Sequence, residues 1–216
     1  VGIMTDTALI TLMNGGNVAS LGGGKIITMD DGNVTTMSGG EITDLNGGTV
    51  ASMTSGLIKS IDGGTVTAMS GGNVTELKSG EITGMTNGIV ATMSGGDIKT
   101  LNGGTVTTMT NGKVTDMLSG EITTMRGGTV AALKGGDIKT LNGGNVTAMS
   151  GGKINDMLLG NITNMTYGTI TNISGGLIDA MSNGIITNFN GGLLTAMSGG
   201  SITIIRHGDI AGLACS

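Results

Sequence analysis

Two apolar positions, three residues apart, recur every eight residues along this chain. Between Gly103 and Asn142 they are Val106 and Met109, Val114 and Met117, Ile122 and Met125, Val130 and Leu133, and Ile138 and Leu141. Written in octets, such as GGTVTTMT and NGKVTDML, the pattern has Gly in the second column and Val or Ile in the fourth. The fifth column is usually Thr, Ala or Lys, and the seventh Met or Leu. Glycine reaches positive φ without steric cost, and the first column is rich in Gly, Asn, Ser and Asp, so a bend is predicted once per octet. β-branched residues in the fourth column favour extended backbone, so about five residues of strand separate successive bends.

A straight strand cannot turn both apolar columns inward, because its side chains alternate with period two. A milder bend or bulge around the fifth or sixth column would let Val106 and Met109 point the same way. Helical spacing also gives an interval of three, but Gly-Gly pairs every eight residues cost roughly 1 kcal/mol per Gly in a helix.

The frame runs unbroken from Gly15 to Ala214, 25 octets without insertion or deletion. Residues 1–14 are expected to form a cap or the end of a preceding element, since Val1 to Asp6 do not fit and Thr7 to Asn14 carry Ala8 where Gly belongs. Residues 215–216 are read as a tail, and whether the chain is whole or a fragment of something longer is left open by the sequence. Gly32, Gly72, Gly112, Gly152 and Gly192 represent the column of structural corners. A longer repeat of 40 residues overlies the octets: GEIT recurs at Gly40, Gly80 and Gly120, GNIT follows at Gly160, and Lys59, Lys99 and Lys139 keep step.

One octet buries nothing alone, whereas stacked octets bury a continuous core. The fold class is therefore all-β, a β-helix or β-solenoid of eight-residue repeats, and two windings satisfy it. Three chains can intertwine, each giving one octet to each third of a turn; or one chain can coil on itself with two or three octets per turn. Five octets per duplication divide by neither two nor three, so in a single coil equivalent residues change face. Threefold symmetry makes all faces equivalent, and the intertwined trimeric fibre is the preferred expectation.

Composition narrows function more than fold. The chain has 44 glycines, no proline, no tryptophan and one each of Tyr, Phe and His, too few aromatics to anchor an ordinary compact core. Collagen would need Gly every third residue. With a net charge of −5 and only ten Lys and Arg, no nucleic-acid partner is expected. No apolar run approaches the roughly 20 residues that span a bilayer, so no membrane insertion is expected.

The octets resemble the triple-stranded β-helix of contractile phage tail spikes and phage tail fibre shafts, whose repeats run Val-x-Gly-x-x-x-x-x. Met37-Ser38-Gly39-Gly40-Glu41-Ile42 and Met149-Ser150-Gly151-Gly152-Lys153-Ile154 carry the matching spacing. The strict glycine here lies three residues after the apolar one, as Gly112 after Met109, rather than two. The resemblance implies a non-enzymatic shaft in a virion or at a cell exterior. It implies a homotrimer that joins other virion or fibre proteins and meets a host surface receptor through a missing tip.

Other chemistry is thinly represented, and no catalytic, cofactor-binding or metal residue is assigned. Fifteen of the sixteen methionines occupy the seventh column, which they share with Leu, Ile and Phe189, so the column reads as interior filling rather than a soft-metal ladder. Fourteen octets carry Thr in the fifth column, which raises an ice-binding or adhesive solenoid as an alternative; Lys59, Lys99, Lys139 and several Ala interrupt it. A cell-surface or matrix filament subunit is the further alternative. His207 and Cys215, one octet apart, lack a third orienting residue. From Leu158 onward the outward columns turn apolar: Leu158, Leu159, Tyr167, Leu177, Ile185 and Leu193 are the expected contact surface.

Overall fold

The computed structural model describes residues 2–213, and they fall into two compact units, Val1–Thr107 and Thr108–Ser216. In both units every described strand pairing between turns is parallel, and partners lie sixteen residues apart outside the first strand and a few corner shifts, as Val34 with Val50 in the first unit and Ile162 with Ile178 in the second. Each unit is therefore a single chain coiled on itself with two octets per turn. This is a β-solenoid, in the single-chain winding rather than the intertwined one. The backbone groups that an interleaved second chain would need are used by the chain's own next turn, as in Leu193 N–H to Gly176 O at 3.0 Å.

In the first unit Leu9–Met13 already pairs with Lys25–Met29, so coil geometry reaches back before Gly15. Ahead of it Ile3 and Met4 pair with Ser20 and Leu21, and Ala8 N–H closes a turn onto Thr5 O. In the second unit the strands beginning at Lys113, Thr129, Asn145, Asn161, Leu177, Leu193 and Asp209 lie one above another, here called the Lys113 face. Those beginning at Glu121, Asp137, Lys153, Thr169, Ile185 and Ser201 form the other, the Glu121 face.

The fourth and seventh columns are the core. Val106, Met109, Val114, Met117, Ile178, Ile186 and Leu194 are all buried, while the described residues of the third, fifth and sixth columns are at least partly exposed, apart from the buried Ser60. The parity break falls where the spacing required it. Register partners are the third, fourth, sixth and seventh columns, as in Leu177, Ile178, Ala180 and Met181 against Leu193, Leu194, Ala196 and Met197, and the fifth is passed over. Two consecutive side chains then point outward, and Val and Met three apart both face in.

Corners occupy the remaining columns. The representative corner glycines Gly32, Gly72, Gly112, Gly152 and Gly192 all have positive φ, from +68 at Gly152 to +102 at Gly32, and no described non-glycine residue does. Gly64 is the exception in its column; there Gly63, at +138, takes the positive angle instead.

Candidate contact surface

Because two octets make a turn, residues in the same column of successive octets stand on opposite sides. Leu177 and Leu193 are register partners on the Lys113 face, with Asn161 below them and Asp209 above. Ile185 lies on the Glu121 face between Thr169 and Ser201. The six residues expected to form one surface thus divide. Leu158 and Leu159 occupy the corner that leads into Asn161, beside Leu177 and Leu193, whereas Tyr167 occupies the corner that leads into Thr169, beside Ile185.

All six point outward. Leu159 and Tyr167 are 57% and 60% exposed, Ile185 46%, Leu158 40% and Leu193 38%, and Leu177 is half-buried. Their neighbours Ile178, Ile186 and Leu194 stay buried, so inward parity is held through the segment.

At the other end of the Lys113 face is a groove of about 370 Å³ that the column pattern did not announce. It is lined by the sixth column, Asn164, Ala180, Ala196 and Gly212, by the seventh-column Met165, Met181, Met197 and Leu213, and by Ser182 and Ser198 at the corner. The signal was present in the sequence, since Ala132 and Ala148 continue the same row. It emerges only when alternate octets are compared, that is, once two octets per turn is known.

Charge is arranged across turns more than along strands. Glu41 accepts from Lys25 and Lys59, both at 2.8 Å, and from Thr43 at 3.0 Å. The two lysines hold its carboxyl down at about 2, well below the ordinary value of 4.5. Glu81 lies 3.3 Å from Lys99 and raises that amine above its usual range, with a smaller contribution from Asp97. Glu121 and Lys139 repeat the contact at 3.3 Å. The pairs within a strand, Asp97 with Lys99 and Asp137 with Lys139, are longer at 3.5 and 3.8 Å. In the fourth copy of the long repeat, Asn161 donates to Asp179 at 3.2 Å in the same geometry.

Among the described residues no three His, Cys, Asp or Glu side chains gather as a metal site. The buried carboxamide oxygens of Asn155, Asn161 and Asn190 have no hydrogen-bond partner, but they lie on two faces and a corner and form no common site. His207 is exposed at a corner, and Cys215 lies outside the described residues.

No family model matches the chain, and neither a curated protein nor a solved structure is similar to it. The resemblance to phage spike octets therefore rests on spacing in the sequence, and the two-octet turn is a different winding from the triple-stranded one.

Proposed function

We propose that the chain is a non-enzymatic structural shaft, of a phage tail fibre or a similar virion or extracellular appendage, which holds a binding element at a distance. One observation carries this reading. The inward columns hold fixed chemistry from turn to turn, while the outward columns change from Thr to Lys, Glu, Ala, Asn or Leu without altering the backbone. A face that binds a repetitive external ligand such as ice or a glycan would show the reverse, a constant outward row. The Thr column comes nearest to one, yet Lys59, Lys99 and Lys139 break it, each engaged with a carboxylate one turn below.

The test is whether the isolated chain binds ice, glycans or cell surfaces by its sides. Freezing-point measurements are expected to show no gap between melting and freezing, and a panel of immobilised glycans and cell-surface extracts is expected to retain no protein. A clear thermal hysteresis, or saturable binding to one surface, would replace the shaft with a binding module.

A further inference from the structure

We infer that the Lys113 face of the second unit is a self-association surface, on which two copies pack side by side with their coils parallel. The outward columns of this face form two unlike rows. The third-column row carries the larger side chains, Thr129, Asn145, Asn161, Leu177 and Leu193; the sixth-column row carries the smaller, Ala132, Ala148, Asn164, Ala180, Ala196 and Gly212. A two-fold axis parallel to the coil reverses strand direction between facing sheets and keeps every layer level. It therefore sets the third column of one copy against the sixth column of the other in the same layer.

Under that operation Leu177 meets Ala180 and Leu193 meets Ala196, so each leucine enters the groove that Ala180, Ala196 and Gly212 help to line in the second copy. The relation is reciprocal, as an isologous contact requires. Charge agrees at the lower end: Lys113 faces Asp116 of the second copy, a carboxylate already bridged by Lys134. No charged residue stands in the third, fifth or sixth columns between Thr129 and Asn164 on this face. Asp209 faces Gly212. The one unfavourable group is Asp179, in the fifth column near the axis, where the two copies bring like charges together; its hydrogen bond from Asn161 offsets part of this.

The area suffices. At ~4.8 Å per layer and ~3.3 Å per residue, the face from Lys113 to Leu213 presents roughly 550 Å² per copy, or about 1,100 Å² in all. That clears the ~1,000 Å² expected of a specific contact, at the weak end. The exposed apolar residues Tyr167, Ile185, Ile204 and Ile205 belong to the opposite side and take no part.

Sedimentation equilibrium of the full chain tests this, with a dimer expected to form at about micromolar concentration. Leu177→Ala with Leu193→Ala is expected to weaken it about tenfold or more by emptying the groove. Ala180→Leu with Ala196→Leu is expected to do the same by filling it. All four changes together exchange the two rows and are expected to restore association, because the two-fold then pairs the new leucines with the new alanines. Asp179→Asn is expected to tighten the dimer, and Ile185→Thr to leave it unchanged. All these positions point outward, so the melting temperature of each variant is expected to stay near that of the parent at a dilution where it is monomeric. A monomer at every concentration, a mass near three chains, or a fourfold variant as weak as either pair would overturn the inference. None of these outcomes bears on ice or glycan binding, so the shaft reading stands or falls separately.

Discussion

At the scale of single residues, two atoms decide what a column accepts. A Cβ on Gly152 would stand 2.7 Å from Gly136 O and 3.0 Å from Gly135 C, in a backbone at φ +68. Glycine is required there twice, by the angle and by the corner below. Met109 shows why methionine is so common two columns before the corner. Its Cε lies 2.7 Å from where a Cβ on Gly128 would be, so the long side chain fills the space that stacked glycines leave one turn up. Leu77 does the same less fully beneath Gly96. Gly152→Val is accordingly expected to destabilise the protein by about 1–3 kcal/mol or more, read from the melting temperature. Gly84 lies in the outward sixth column with nothing nearer than Thr67 O at 3.7 Å, and Gly84→Ala is expected to stay within about 0.5 kcal/mol of the parent. Equal effects at the two sites would show that position in the octet does not set the need for glycine.

At the scale of strands and turns, stability beyond the core comes from contacts between layers. Glu41, held near 2 by Lys25 and Lys59, is a carboxylate whose folded pKa is depressed. Its stabilisation is present above the ordinary 4.5 and disappears as pH falls through about 2. Glu41→Gln should therefore melt below the parent at neutral pH, by an amount in keeping with ~1 kcal/mol for partly exposed pairs. The two melting curves should converge as pH approaches 2, and a gap that persists in acid would mean that the carboxylate charge is not the source. Lys99 runs the other way: its raised amine contributes below its unfolded value and loses that contribution as alkaline pH passes the folded one. These layer contacts mark the limit of what the sequence could say. Val106, Met109 and Gly112 announce strand, core and corner because each is specified within its own octet. Whether Lys59 meets Glu41, and whether Leu177 meets Leu193 or Ser201, depends on how many octets close a turn, and both two and three satisfy every local rule. Six apolar residues read as one surface therefore split between two sides, and the row of Ala180 and Ala196 passed unnoticed.

At the scale of the whole molecule, the 40-residue duplication becomes intelligible without threefold symmetry. Five octets are two and a half turns, so within the first unit the Glu41–Lys59 and Glu81–Lys99 pairs stand on opposite faces. Glu121–Lys139 nevertheless repeats the Glu81–Lys99 distance of 3.3 Å. Both faces present the same columns to the core, so the octet rather than the turn is the unit that can be added or lost. This has a direct consequence for deletions. Removing residues 143–150 joins Asn142 to Gly151 in phase, spares the ion pairs Glu121–Lys139 and Lys134–Asp116, and moves all that follows onto the other face. That variant is expected to keep a parallel-sheet circular dichroism spectrum and a cooperative melt. Removing only residues 145–148 leaves two corner glycines, Met149 and Ser150 where a strand should be, and a turn that cannot span the layers above and below. It is expected to lose cooperative melting although it deletes half as much chain. Should the eight-residue deletion prove as damaging as the four, the two faces would not be interchangeable, and the tolerance that explains growth by odd numbers of octets would have to be sought elsewhere.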